Sequence, residues 1–212
     1  TDYDQIIASA MSNQSPTFKD VPRSTMNPTD GEQALYDQAA VKDLQFAGND
    51  VDGANALLDE AGIVDSDGDG IREYNGKPLS FKAECPDGWT DWMASLEIVA
   101  TSAKNIGIYI QTYIPDTNTF YNDITTGAFE ICMNSPSGSS ITNPWGRCMQ
   151  FLSSQYADLE VNWSGNWSHY RNDEADELLA KIPLETDPAT LKEYYTRLNE
   201  IYLTDVPNFA LM

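Results

Sequence analysis

One stretch constrains the fold more than any other, because between residues 78 and 114 the apolar periodicity changes twice. PLSFKAEC (78–85) and IYIQTYI (108–114) alternate in the manner of β-strands. The segment between them, TDWMASLEIVATSAKNIG (90–107), repeats apolar residues on one helical face, at Trp92, Leu96, Val99, Ala103 and Ile106. Strand, helix and strand in this order predict two parallel strands joined by a crossover helix. We therefore predict an α/β fold with a mixed sheet, in which βαβ units are flanked by helices.

Capping residues extend this prediction along the chain. Asp50 precedes a helical pattern, and the segments NDEADELLAKI (172–182) and DPATLKEYYTRLNEIYLTDV (187–206) also begin with residues that cap helices. AFEICMN (128–134) is expected to form a third strand. Within residues 1–49 the sequence predicts a helix followed by an irregular segment, and from residue 50 onward the α/β pattern is more regular. A chain of 212 residues is long enough to be one domain or one lobe of a larger protein.

The charge balance excludes one class of partner. The chain has 12 Lys and Arg against 33 Asp and Glu, a net charge of −21. Nucleic-acid surfaces need clustered positive charge, so we expect no nucleic-acid partner. The three cysteines form no CxxC pair and have no histidine at ligand spacing, which predicts free thiols rather than a zinc site. No apolar run approaches the length of a membrane span.

The segment PDGWTDWM (86–93) lies where an α/β sheet binds ligands, at a loop between a parallel strand and the following helix. Trp89 falls in the turn and is either a platform for a flat apolar ligand or a cap on the surface. Trp92 falls in the first helical turn and shares the apolar stripe, which favours a place in the core.

Two further loops combine indoles with hydroxyl and amide groups. NSPSGSSITNPWGR (134–147) contains Trp145, and NWSGNWSHY (162–170) contains Trp163 and Trp167 among Asn162, Asn166 and Ser168. A pyranose presents an apolar C–H face to an indole and a rim of hydroxyls to polar side chains, so these loops favour sugar binding. The alternative is turn chemistry with aromatic caps.

The acidic turn DSDGDGIREYNG (65–76) resembles part of a calcium loop. Its aspartates match the first three alternating ligand positions of an EF-hand, whereas the bidentate glutamate at the last position is replaced by Gly76. We expect a structural calcium ion with the ligand set Asp65, Asp67, Asp69, Ile71 and Glu73. The alternative is a tight turn before a hairpin that begins at Asn75 and Gly76.

The order of several segments resembles a known family. These segments are ANALLDEAGIVDSDGDGIREYNGKPLSFK, GWTDWM, NIGIYI, TGAFEICMN, SHYRNDEADELL and LNEIYLTDVPNFALM, which span residues 54–212. Together they are similar to the family 5 extracellular solute-binding proteins of ABC importers, the peptide, nickel and oligosaccharide class. The resemblance implies one lobe of a periplasmic-binding-protein-like fold of type II, cluster C. It also implies a two-lobed protein, periplasmic or a cell-surface lipoprotein, that closes on a ligand and delivers it to a membrane permease. This chain resembles the C-terminal lobe, with the N-terminal lobe missing. By this resemblance, residues 1–49 are a lead-in helix and an irregular segment, and residues 50–212 are an α/β ligand-binding lobe.

Within the family, the loops look most like the branch that binds cello- and xylo-oligosaccharides. The resemblance places ligand contacts at Trp89, Asp91 and Trp145, with weaker correspondences at Tyr121, Ser135 and Asn143. An oligopeptide ligand is the alternative, because Asp91 suits a peptide ammonium as well as a sugar hydroxyl. A carbohydrate-active enzyme is the less favoured class. No nucleophile elbow, phosphate loop or HExxH motif occurs, and carboxylate pairs carry little information among 33 acidic residues. We expect no catalytic residue and no cofactor apart from calcium.

Overall fold

A computed structural model describes residues 1–15, 17–45 and 48–211, with the side chain of Ser139 left aside. The contacts within the chain group the described residues into two compact units. The first unit takes its residues from 1–15, 46–124 and 128–134, and the second from 16–45, 125–127 and 135–212. This grouping does not test the predicted division into a lead-in (1–49) and a lobe (50–212), which stays a prediction.

Helices and strands alternate between residues 80 and 132, and helical elements precede and follow the strands. The α-helices are α1 (Tyr3–Gln5), α2 (Asp30–Gln33), α3 (Gln38–Val41), α4 (Val51–Glu60), α5 (Thr90–Lys104), α6 (Thr117–Thr126), α7 (Pro144–Leu152), α8 (Asp173–Lys181) and α9 (Pro188–Asp205). The strands are β1 (Glu73–Tyr74), β2 (Lys77–Pro78), β3 (Ser80–Glu84), β4 (Tyr109–Tyr113) and β5 (Ile131–Cys132). A π-helical turn (Ile6–Ala10) and 3₁₀ turns (Lys42–Leu44, Gly138–Ile141, Ser154–Tyr156, Ile182–Leu184) complete the set.

The first unit contains a three-stranded sheet in the order β4-β3-β5, and both pairings are parallel. The predicted strand–helix–strand unit is therefore confirmed as β3-α5-β4. Ala83 on the central strand pairs with Thr112 on one side and with Ile131 on the other. Since β3 has a neighbour on each side, its C-terminal half is buried.

Antiparallel pairing occurs in a separate two-stranded sheet, β1 with β2. The turn between these strands is formed by Asn75 and Gly76, whose φ angles of 52° and 73° are those of a type I′ hairpin turn. This confirms the hairpin expected at Asn75 and Gly76.

The second unit is helical, and its core lies where α7, α8 and α9 present apolar faces. Cys148, Leu152, Ala175 and Leu198 are completely buried there. The predicted caps are confirmed, because the side chain of Asn172 accepts a hydrogen bond from the Ala175 N–H at the start of α8. Asp187 caps α9 in the same way, with Pro188 at the first helical position.

The three cysteines Cys85, Cys132 and Cys148 are free, as predicted. Burial raises the pKa of the Cys85 thiol to about 11 and that of Cys132 to about 12. These thiols are therefore protonated at neutral pH. Among the described helices, none combines the length and the apolar character that crossing a membrane requires.

Candidate functional site

The turn that carries Trp89 is fixed at the carboxyl ends of two parallel strands. The Cys85 N–H donates to the carbonyl of Tyr113 (3.3 Å), and the Asp87 N–H donates to the carbonyl of Pro115 (2.8 Å). Gly88 has a φ of +84°, which lets the chain reverse before α5 begins. The predicted position of this loop at the ligand end of the sheet is confirmed for the first unit.

Trp89 and Trp92 form an edge-to-face pair with ring centroids 4.5 Å apart and an interplanar angle of 68°. Trp92 is half-buried, and it supports the edge of its neighbour. Trp89 retains 38% of its surface in solvent. The pair thus holds one indole in place while leaving part of it open, which is the arrangement that a stacking platform needs.

Asp91 lies two residues after Trp89, in the first turn of α5. Its main-chain carbonyl accepts a hydrogen bond from the Ser95 hydroxyl (2.8 Å). Within the described part of the chain, its carboxylate has no hydrogen bond or salt bridge. The carboxylate oxygens are therefore available to a hydroxyl or an ammonium group. Tyr121, on α6, is half-buried, and its ring meets Phe120 edge to face with centroids 5.5 Å apart.

Glu84, the last residue of β3, was not among the residues that the sequence singled out. Its side chain is completely buried, and among the described residues neither carboxylate oxygen has a hydrogen-bond partner. Burial and the charge of Asp123 raise the pKa of Glu84 to about 7, although Lys82, whose Nζ lies 4.0 Å away, lowers it. A charged residue is unusual in a central parallel strand, and this pattern would have identified Glu84. The sequence does not show that β3 is central, because that depends on where β5 pairs.

The second unit carries the other three predicted contacts in the loop 135–143, which we call the serine loop, and at the start of α7. Ser135 is exposed. The side-chain oxygen of Asn143 caps α7 by accepting from the Gly146 N–H (3.2 Å). Trp145 donates its indole N–H to the carbonyl of Leu179 (2.9 Å) and packs partly against the helical core. Its indole N–H is therefore used within the unit, so any contact with a ligand would be made by the ring.

The third tryptophan-bearing loop differs from the expectation of a sugar-binding surface. Asn162 and Asn166 are buried, and their amides bind the protein's own backbone. Asn162 donates to the carbonyls of Tyr156 and Gly165, and Asn166 donates to those of Ser153 and Tyr170. These amides close turns and do not face a ligand. Trp167 donates its N–H to the carbonyl of Asn162, whereas Trp163 is 64% exposed.

The acidic turn brings together the carboxylates of the expected calcium ligands. One oxygen each from Asp65, Asp67, Asp69 and Glu73 lies within 4.8 Å of the others. Asp65 also accepts from the Gly68 and Gly70 N–H groups, which folds the loop around its first ligand position. An all-oxygen donor set suits a hard cation such as calcium. At Ile71, the remaining position of the set, the N–H donates to Asp69 Oδ1 (2.7 Å).

Comparison with known proteins gives the family. The model for the bacterial extracellular solute-binding proteins, family 5 middle, matches residues 1–158. Among curated proteins, no sequence matches the chain significantly.

Solved structures resemble this chain over nearly all of its length. A periplasmic oligopeptide-binding protein of an oligopeptide ABC transporter from Thermotoga maritima, with mannohexaose bound, has a TM-score of 0.89 and 30% identity. The match covers 98% of this chain and 38% of that one. The oligopeptide-binding protein AppA from Bacillus subtilis, in complex with a nonapeptide, has a TM-score of 0.73 and 19% identity, with the same coverage.

A third structure is the periplasmic binding protein MelB from Agrobacterium fabrum with stachyose, which has a TM-score of 0.65 and 16% identity. It is matched over 84% of this chain and 27% of its own. At their identities, the second and third likenesses concern the fold alone. The chain spans less than two fifths of the length of these structures. The family model covers most of the chain, and the α/β architecture agrees with it: the chain belongs to family 5 of the bacterial extracellular solute-binding proteins.

Proposed function

We propose that this chain is one lobe of the substrate-binding component of an ABC importer, and that the whole protein binds an oligosaccharide in a cleft between two lobes. The observation that carries the proposal is the partly exposed indole of Trp89, two residues before Asp91, whose carboxylate has no partner among the described residues. The second lobe of the same protein and a membrane permease are its partners. The protein acts outside the cytoplasm, as a periplasmic protein or a cell-surface lipoprotein.

The chemistry of a sugar fits this pair of groups. The C–H face of a pyranose stacks on an indole that a second indole holds in place, and the Asp91 carboxylate accepts hydrogen bonds from ring hydroxyls. The serine loop offers further hydroxyl and amide groups at Ser135 and Asn143. Tyr121 and the face of Trp145 are the remaining contacts that we propose.

The comparisons support an oligosaccharide without naming one. The Thermotoga maritima protein is described as an oligopeptide-binding protein and yet holds a mannohexaose. This likeness supports a sugar for the present chain. Cello- and xylo-oligosaccharides are the ligands that the loop sequences favour.

An oligopeptide is the second candidate ligand, and the free Asp91 carboxylate is the observation that favours it. A peptide ammonium would form a charge-assisted hydrogen bond there. Catalysis is not part of the proposal, because the family consists of binding proteins.

The substitution Asp91→Asn separates the two ligands. In the protein with both lobes present, we expect the affinity for an oligosaccharide to change less than about threefold, since the amide still forms hydrogen bonds. Loss of a charged partner would weaken a peptide about 10-fold or more. Asp52→Asn is the matched control, because Asp52 is also an acidic residue in the first turn of a helix. If calorimetric titration finds binding of peptides alone, with a large loss in Asp91→Asn, the oligosaccharide proposal is wrong.

A further inference from the structure

Side chains on one face of α7 form hydrogen bonds with the serine loop. Arg147 and Gln150 lie three residues apart on this helix, so they project from the same side. Both donate or accept hydrogen bonds at the backbone of the loop. Within the loop, residues Gly138–Ile141 form a short 3₁₀ helix of a single turn.

Gln150 binds the loop at Ser137. Its Oε1 accepts from the Ser137 N–H (3.0 Å), and its Nε2 donates to the Ser137 hydroxyl (3.2 Å). The side-chain amide therefore satisfies a donor and an acceptor of the same residue. This pairing fixes Ser137 at the start of the 3₁₀ turn.

Arg147 binds the other end of that turn. Its Nη1 donates to the carbonyls of Ser140 (3.1 Å) and Ile141 (2.8 Å). Its Nε donates to the carbonyl of Thr25 (2.6 Å), and its Nη2 forms a salt bridge with Glu32. Arg147 is 4% exposed, so the geometry of its guanidinium is set by its partners in the second unit rather than by solvent.

We propose that Arg147 and Gln150 are positioning residues that keep the serine loop in its ligand-binding conformation before the ligand arrives. This inference rests on the proposed function, because the loop carries the ligand contacts Ser135 and Asn143. A loop that is already ordered does not lose that freedom on binding, so pre-organisation strengthens affinity. If the loop opened, the binding-competent fraction would fall and the apparent dissociation constant would rise by the same factor.

Gln150→Met tests whether the hydrogen bonds of Gln150 order the serine loop, because methionine keeps an unbranched side chain of similar length and removes both polar atoms. In the two-lobed protein without ligand, we expect amide hydrogen exchange at residues 137–141 to become at least about fivefold faster. The midpoint of thermal unfolding should stay close to that of the unsubstituted protein. Gln150→Glu keeps the acceptor for the Ser137 N–H and should restore slow exchange. Gln155→Met is the matched control, since Gln155 is an exposed glutamine in the same unit.

Ligand binding supplies the second readout. We expect Gln150→Met to raise the dissociation constant about three- to tenfold, mainly through a slower association rate, with Gln150→Glu close to the original value. Arg147→Lys should act in the same direction, but it also weakens the buried pair with Glu32, so Gln150 decides the question.

The outcomes separate the two proposals. Unchanged amide hydrogen exchange at residues 137–141 in Gln150→Met would show that Gln150 does not order the serine loop, and would overturn the inference. Faster exchange with unchanged affinity would overturn the positioning role while leaving the proposed function intact. If the unsubstituted protein binds neither oligosaccharide nor peptide, the proposed function fails and the positioning role fails with it.

Discussion

The buried carboxyl group of Glu84 links protonation to the stability of the first unit. Several charged or titratable groups act on it or lie beside it: Lys82 on its own strand, Cys85 next in the chain, Tyr113 on β4, Asp123 on α6 and Cys132 on β5. Burial is the largest effect and raises the pKa of Glu84 from an ordinary 4.5 to about 7. Between these two pH values the folded protein binds a proton that the unfolded chain releases. Stability therefore falls as the pH rises through this window, by about 3 kcal/mol in full.

Glu84→Gln should remove this dependence, because glutamine resembles the protonated acid at every pH. We compare the free energy of unfolding of Glu84→Gln with that of the unsubstituted protein at each pH. The difference in favour of Glu84→Gln should be about 3 kcal/mol larger at pH 8 than at pH 4.5. Urea unfolding across this range measures the difference. Glu60→Gln, an exposed glutamate on α4, is the control and should run parallel to the unsubstituted protein. If the stability of Glu84→Gln also changes with pH in parallel with that of the unsubstituted protein, Glu84 is not the group that causes the pH dependence.

Asn166 is a structural residue, although its position among the tryptophans of a polar loop favoured sugar binding. It is 2% exposed, has a φ of +48° and binds the backbone of Ser153 and Tyr170. Asn166→Ala leaves buried backbone groups unpaired, and we expect it to lower the free energy of unfolding by about 2–4 kcal/mol. Asn13→Ala, at an exposed asparagine with a φ of +58°, controls for backbone strain and should cost about 1 kcal/mol. Equal losses from both variants in chemical denaturation would contradict this role.

At the level of elements, periodicity predicted the helices and strands whose formation depends on residues close together in the sequence. The change from alternating to helical spacing identified β3, α5 and β4, and the capping residues before α8 and α9 identified their starts. The position of β5 beside β3 was out of reach, because strand order is a long-range property. The burial of Glu84 follows from that order and was missed with it.

The candidate site shows the same limit. Trp89 was singled out because a strand–turn–helix junction is a local pattern, whereas Asp91 was added through the family resemblance. The anchoring of Trp145 to Leu179 joins residues that are 34 positions apart, and no local pattern indicates it. The amides of Asn162 and Asn166 looked available for the same reason, since their backbone partners are known only from the folded chain.

The acidic turn is expected to bind calcium as an element that stabilises the β1–β2 hairpin. Addition of millimolar calcium should raise the midpoint of thermal unfolding, because the ion binds the folded loop and reduces the repulsion among four adjacent carboxylates. Asp69→Asn should abolish most of that rise by removing one charged ligand. Asp43→Asn, an exposed aspartate in the other unit, should leave it intact. A midpoint that does not respond to calcium, or responds equally in both variants, would contradict this expectation.

At the scale of the whole molecule, the chain corresponds to part of a longer fold. The Thermotoga maritima structure is matched over 38% of its length, so the remaining part of such a protein would supply the other wall of a cleft. In the proposed function, the surface of Trp89 and Asp91 would form one side of the binding site. A net charge of −21 does not suit a polyanionic ligand, whereas a neutral sugar is compatible with it.

The most direct measurement is isothermal titration of the two-lobed protein with cello-, xylo- and manno-oligosaccharides and with short peptides. We expect one oligosaccharide class to bind, and Trp89→Ala to weaken it by about 10-fold or more through loss of the stacking face. Trp163→Ala, which removes an equally large exposed indole outside the proposed site, should leave the affinity unchanged. Binding of peptides alone, or oligosaccharide binding that is the same in Trp89→Ala, would contradict the account.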